Sequence, residues 1–387
     1  MAGTALACAL GDSGFRIALL EGGDYDVRRP PEVEGVSGYD TRVSALGEGS
    51  TALLQRLGAW PRMRAARACP YTHMHVWDAQ GTGAVDFDAA EVRQRRLGHI
   101  VENRVTVWAL RQCLMEHLNV DVRGSSKVVQ LVPIEGADPE RAQPAYSLLL
   151  SDGTSVEASL VVAADGAQSM LRKLAGFSTR EWDYGQVATV AAVRVEQSHR
   201  DTAWQRFLPT GPLAFLPLSS SPESGHFCSI VWSAKSELAG DLSQLDDAAF
   251  RRVLGESFEH RLGSVLQVGP RVAYPLRQRH AVSYYKPGLV LVGDAAHSLH
   301  PLAGQGINLG FKDVAALAEE LIRARNLELA PGAVSVLARY QRRRIADNLG
   351  MRAIMEGFKR LFGESHLGIR WLRNEGMNRF NRAPWLK

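Results

Sequence analysis

The chain has 387 residues, a formal net charge of +4 and an apolar fraction of 45%. That length makes one large or two ordinary domains with ample core, and so small a charge does not argue for nucleic acid as a partner. The four cysteines, Cys8, Cys69, Cys113 and Cys228, lack metal or disulfide spacing, no apolar run is long enough to span a membrane, and the N-terminus lacks a signal-peptide pattern. A cytoplasmic protein is expected, with peripheral contact at the inner membrane left open.

Met1–Leu10 reads as a helix already under way, with Gly3 near its start, and Phe15–Leu20 as a strand that ends in Glu21. Helix, turn and strand ending in an acid form the second half of a dinucleotide-binding unit, in which the acid takes ribose hydroxyls. No strand precedes Gly3 and a single glycine of a GxGxxG remains, so the recorded start is expected to lie inside the phosphate loop. Arg28–Asp40 reads as a loop, and Gly49–Leu57 as a helix closing at Gly58. His73–Trp77 and Ala84–Asp88 read as strands, Gly98–Asn103 as a short link and Val105–Leu118 as an amphipathic helix. Strands follow at Val120–Val122, Lys127–Pro133 and Ala145–Leu150. The Asp-Gly turn after them makes a hairpin with Ser155–Ala164.

That hairpin ends at Asp165-Gly166, and Met170–Ala175 continues as a helix carrying Arg172. Gln186–Val195, Leu213–Leu218 and Cys228–Ser233 suggest a separate antiparallel sheet. Asp246–Gly263 reads as helical, and Val272–Pro275 and His280–Val282 as strands. Leu289–Val292 is a short apolar run that leaves the sheet at Gly293-Asp294. Pro301, a small-residue loop through Ala303, Gly304, Gln305 and Gly306, and a helix from Ile307 follow. Glycines let a backbone approach a flat or anionic ligand, and a helix start offers free N–H groups. Ser335–Phe362 reads as a long helix whose Arg342–Arg344 run is either a solvated face or a contact for acidic lipid or a partner protein. His297 and His300 form an H-x-x-H pair without further ligands in the sequence, so no metal is expected. His73 and His99 are isolated and read as structural.

Three blocks, GFRIALLE, LVVAADGAQSMLRK and GLVLVGDAAHSLHPLAGQGINLGFKD, together resemble the dinucleotide, DG and GD motifs of the aromatic-ring hydroxylase flavoproteins. TRVSALGEGSTALLQRLGAW, LGHIVENRV, WQRFLPTGPLAFLPLS and HPLAGQGINLGF narrow the resemblance to the ubiquinone-biosynthesis hydroxylases, over nearly the whole chain. The resemblance implies an α/β fold: a doubly wound (Rossmann-like) FAD-binding domain, an inserted antiparallel-sheet substrate domain and C-terminal helices. It places the discontinuous FAD domain at 1–70, 98–180 and 270–350, the substrate domain at 71–97 and 181–269, and a helical tail at 351–387.

By the same resemblance, Glu21 binds the adenosine ribose and Gly3 lies at the pyrophosphate loop. Arg42 contacts the flavin's phosphate and ribityl region. Asp165 and Gly166 belong to a motif serving FAD and NAD(P)H, with Arg172 in support. Asp294 takes the ribityl hydroxyls, while Pro301, Gly304, Gln305, Gly306 and Asn308 lie along the flavin ring. Phe215, Pro217 and Trp232 are expected walls of the substrate pocket. The implied reaction is hydroxylation of a polyprenylated phenol or quinol by FAD, NAD(P)H and molecular oxygen through a flavin hydroperoxide, within a ubiquinone-biosynthesis complex and with membrane-surface contact. The alternatives are another aromatic substrate or a non-catalytic partner role. Family members carry a strand and a full glycine loop ahead of Gly3, and a late start codon is the expected reason for the departure, ahead of a truncated product with weakened FAD binding.

Overall fold

The structure is a computed structural model that describes residues 1–141, 143–219, 224–298, 306–363 and 381, with side chains on the last helix described as far as residue 350. Its described helices are α1 (Ala2–Ala9), α2 (Glu48–Arg56), α3 (Ala59–Ala66), α4 (Asn103–Leu114), α5 (Met170–Leu174), α6 (Ser236–Gln244), α7 (Asp247–Ser257), α8 (Gly306–Asn326) and α9 (Val334–Gly363).

One core binds α1, α4, α8 and α9 to two groups of parallel strands. Ile17–Leu20 runs parallel to Val120–Arg123, and Val161–Ala163 runs parallel to Leu289–Leu291. The second pair is in register from Val161↔Leu289 to Ala163↔Leu291, so both strands deliver their following turns at the same level. All three residues of Leu289–Leu291 are fully buried, as a strand covered on both faces requires. Gly3 lets α1 lie close to its neighbours: a Cβ there would sit 3.2 Å from Ala164 Cβ and 3.8 Å from Leu19 Cδ1.

A nine-stranded sheet forms the second layer. Its order is His297–Ser298, Val272–Ala281, Thr179–Val195, Phe227–Lys235, Gly211–Pro217, Thr202–Leu208, His73–Asp78 and Ala84–Asp88, with Val265–Val268 paired to the far end of Thr179–Val195. Alternation sorts its side chains between two faces. Ala191, Val193, Leu213, Phe215, Ile230 and Trp232 pack with Phe250, Leu254 and Phe258 of the α6–α7 layer. Ala192, Ala203, Ala214 and Leu216 point the other way and pack with Ala45, Tyr71 and Ile100. Residue 270, the expected domain border, falls between two strands of this one sheet.

Several local expectations change. Gly98–Asn103 is not a link: Gly98–Glu102 is a buried strand between Val43–Leu46 and Cys69–Tyr71, antiparallel to both. Its His and Glu hide a strand that is apolar only at its centre. The helix expected to Gly263 stops at Ser257, where Phe258 folds back into the core and Glu259 and His260 adopt left-handed backbone. The Arg342–Arg344 run is neither a uniform solvated face nor one basic patch. Arg343 pairs with Glu319 and Glu320 of α8, and Arg344 is 3% exposed. Successive helix residues point about 100° apart, so three neighbours cannot share a face.

Candidate cofactor site

The two turns at the ends of the paired parallel strands are tied together by one side chain. Arg172 is 3% exposed, and its Nη1 donates to Ala295 O at 2.8 Å while Nη2 donates to Ala167 O at 2.8 Å. Arg279 also donates to Ala167 O. Asp165 is committed locally: its Oδ2 accepts from Met170 N at 2.7 Å and Leu171 N at 3.1 Å. Ser169 Oγ accepts from Arg172 N at 2.9 Å, so two side chains cap the short α5. Gly166 has φ +81°, and a Cβ there would meet no described atom within 4 Å. This turn therefore offers open backbone, while its carboxylate holds a helix start.

Asp294 is different. It follows Gly293, whose φ of +61° favours glycine. Among the described residues no hydrogen bond takes the Asp294 carboxylate. The residue is exposed to water, yet burial by surrounding protein pushes its pKa up. Those two facts together mark a concave wall. His297, Arg42 and the terminal amine of Met1 act in the opposite direction on it, and Asp313 adds to the rise. Arg42 stands with its guanidinium 5.4 Å from the ring centroid of Tyr274, a residue of the nine-stranded sheet.

Asn308, in the first turn of α8, is a brace. Its Nδ2 donates to Ala45 O at 2.7 Å, and its Oδ1 accepts from Gly47 N at 3.1 Å and Ser50 Oγ at 2.6 Å. It locks the start of α8 to the turn between the Val43–Leu46 strand and α2. A Cβ at Gly306, the first residue of α8, would meet no described atom within 4 Å. Pro301, Gly304, Gln305 and His300 lie outside the described residues. Glu21 leaves the Ile17–Leu20 strand with its side chain 43% exposed and its Oε2 3.5 Å from Arg111 Nη2.

Two of the residues expected to line the substrate pocket face the α6–α7 layer. Phe215 stacks on Phe258 with centroids 3.9 Å apart, and Trp232 packs near Phe250, both on the face covered by α6 and α7. Pro217 ends its strand opposite Cys228. The residues on either side of Phe215, Ala214 and Leu216, occupy the face turned towards Ala45 and Tyr71. A strand has period two, and the sequence alone does not say which phase faces which layer.

A buried ionic cluster behind Asp294 was not legible as a unit. Asp313 of α8 is fully buried. Its Oδ2 accepts from Gly293 N at 3.0 Å and lies 2.5 Å from His297 Nε2, and its Oδ1 accepts from Arg344 Nε at 2.7 Å. Burial alone would raise the Asp313 pKa, but His297 and the hydrogen bonds from His297 and Arg344 outweigh it and hold the carboxyl below its ordinary value. The available signal was an acid in the buried stripe Leu309–Asp313–Leu317 of an amphipathic helix.

The residues suit FAD. Two carboxylates with accessible oxygens, Glu21 and Asp294, stand at the ends of different strands and can accept from sugar-type hydroxyls. Open backbone at Gly166 and Gly306 and the start of the 21-residue α8 suit an electron-rich or anionic group.

Residues 2–349 match the FAD binding domain family. The chain is 38% identical to the 3-demethoxyubiquinol 3-hydroxylase of Escherichia coli (strain K12), over all of this chain and 94% of that protein. It is 38% identical to the ubiquinone hydroxylase UbiL of Rhodospirillum rubrum, over all of this chain and 85% of that one. The fold matches the crystal structure of p-nitrophenol 4-monooxygenase PnpA from Pseudomonas putida with a TM-score of 0.75 at 21% identity, covering 100% of this chain and 92% of that one.

Proposed function

The chain belongs to the FAD-binding domain family and, within it, to the ubiquinone-biosynthesis hydroxylases, and on that footing we propose that it hydroxylates the aromatic ring of a polyprenylated ubiquinone precursor. The reaction consumes NAD(P)H and molecular oxygen: one oxygen atom enters the ring and the other leaves as water. The observation that carries the reading is the concave, uncommitted carboxylate of Asp294 at the mouth of a strand whose neighbour turn is tied to it by Arg172.

Asp294 and Glu21 would hold the cofactor's hydroxyl groups, Arg42 its phosphate and ribityl region, and Gly166 and Gly306 would let backbone approach it, while Gly3 lets α1 pack close to Ala164 beside it. Bound there, FAD supplies the two-electron chemistry that activates oxygen. The protein's share is placement and dryness. The first turn of α8, braced by Asn308, presents N–H groups to electron-rich ring atoms. The face carrying Ala192, Ala214 and Leu216 is largely apolar, with the polar Gln205 and Ser229 opposite Ala214 and Leu216, and such a surface would suit a prenylated ring.

No described helix is long and apolar enough to cross a membrane. A long prenyl substrate is itself lipid-soluble, so the reading includes access from the membrane surface. The test is direct. Purified protein should be yellow, and its NAD(P)H-dependent oxygen uptake should rise on adding a short-chain prenylphenol. Colourless protein that does not take up FAD, or flavoprotein that leaves every prenylphenol unhydroxylated, would sink the reading.

A further inference from the structure

Gly293 and Asp294 form the wall assigned above to the cofactor, in a turn closed locally by Ala296 N donating to Gly293 O at 2.8 Å, which leaves the Gly293 N–H to be held from outside. The fixing partner is Asp313, twenty residues further on, whose Oδ2 takes the Gly293 N–H at 3.0 Å. That oxygen is shared with His297 Nε2 at 2.5 Å, so one carboxylate oxygen gathers both flanks of Asp294. The second oxygen faces α9, where Arg344 Nε donates at 2.7 Å. Arg344 is held in turn: Nη1 donates to Asp347 Oδ2 at 2.6 Å and Nη2 to Asn348 Oδ1 at 2.9 Å. Asn348 Nδ2 then donates to Tyr284 OH at 3.2 Å, and the Tyr284 ring lies 5.8 Å from that of His297. The circuit closes on the histidine where it began.

We infer that Arg344 is a positioning residue for the cofactor wall, acting through Asp313 on the Gly293–Asp294 turn and on His297, so that the seating of α9 sets where Asp294 stands. The inference rests on the reading of Asp294 as a cofactor contact, and its structural half stands without it. The arrangement has a geometric reason. Asp313 has two oxygens, and with Arg344 planar and fork-shaped one oxygen is anchored while the other stays aimed at the turn. Without the guanidinium the carboxylate is free to rotate towards His297 and away from Gly293. An uncompensated buried carboxylate is also costly, which gives the pair a stability role that the test must separate.

The experiment uses the full chain with Arg344→Gln, Arg344→Lys and Asp313→Asn. Three quantities are read: the FAD dissociation constant from quenching of flavin fluorescence, the urea midpoint, and the NMR resonances of the Gly293 amide and the His297 ring N–H in flavin-free protein. Arg344→Gln should shift both resonances, although no described hydrogen bond joins Arg344 to His297, and should weaken FAD binding roughly tenfold. Arg344→Lys, which retains a charged donor towards Asp313, should recover most of that loss. Asp313→Asn should abolish the His297 signal. Unchanged resonances in Arg344→Gln overturn the inference, as does a loss of FAD affinity that only tracks the urea midpoint. Wild-type protein that binds no FAD while both resonances still answer to Arg344 would refute the functional reading and support the positioning role.

Discussion

Arg172 Nη1 donates to the backbone carbonyl of Ala295 at 2.8 Å, across 123 positions of sequence. A single guanidinium thus spans the turns after two parallel strands, and its other arm holds Ala167 O. Arg172→Ala should leave the Ala295 carbonyl without its donor, while Ala167 O keeps the one from Arg279, and cost about 1–3 kcal/mol. Urea unfolding would measure this, and FAD affinity should fall with it. A variant as stable as wild type would show that water replaces the guanidinium fully.

Asn308 makes three hydrogen bonds to the Ala45–Ser50 turn. Asn308→Asp keeps the acceptor for Gly47 N and Ser50 Oγ but turns a carboxylate oxygen on Ala45 O. We expect it to destabilise by about 1–3 kcal/mol, and more than Asn308→Ala, because repulsion replaces a bond rather than removing it. Thermal unfolding of the two variants decides the order.

Asp294 should show a trade between stability and function. Its folded pKa is raised, so the folded state binds more protons than the unfolded one, and stability falls as pH rises from the ordinary carboxylate value of 3.8 towards the raised one. Asp294→Asn removes that loss. At pH 7 the flavin-free variant should melt at a higher temperature than wild type, and it should bind FAD more weakly. A lower melting temperature at pH 7 would contradict this.

His99 sets an acid limb. It is buried against the edge of Trp60, with centroids 4.6 Å apart, and Arg96 Nη1 lies 2.8 Å from its Nε2. Arginine only donates, so this nitrogen accepts and the ring is neutral. Burial first, then Arg96 and Arg64, lower its pKa from 6.5 to about 4. A depressed histidine contributes stability above pH 6.5 that is lost as pH falls towards 4, about 3 kcal/mol in all. His99→Gln should flatten the stability profile across that window, as chemical denaturation at a series of pH values would show.

The two faces of the nine-stranded sheet should respond differently. Phe215→Ala empties a site stacked on Phe258 and should cost about 3–5 kcal/mol with little change in KM of the surviving enzyme. Ala214→Val, one residue away on the opposite face, should raise KM for the prenylated ring at smaller cost in stability. Equal effects on KM would mean that the substrate does not meet this face.

The strands and turns that carry the proposed cofactor contacts were legible because their signals are local: an apolar run, then an acid and a glycine. Fold and family followed from three such blocks in order. What a carboxylate is aimed at was not legible. Asp165 and Asp294 sit in similar strand-end contexts, yet one caps α5 and the other opens onto a hollow. The difference lies in whether a helix begins close enough to use the side chain. Phe215 and Trp232 were placed by residue type, whereas the sheet sorts by phase. Arg344 looked like part of a basic run because one-dimensional sequence does not show the 100° rotation per residue that buries it.

The Thr179–Val195 strand pairs near its start with Ala281, which belongs to the α8–α9 core, and near its end with the layer under α7. One continuous hydrogen-bonded rod is therefore common property of both halves. Neither half can melt without stripping partners from the other, so heat should unfold them in a single transition. By linkage, occupancy of the cofactor hollow would protect the distant α6–α7 layer as well.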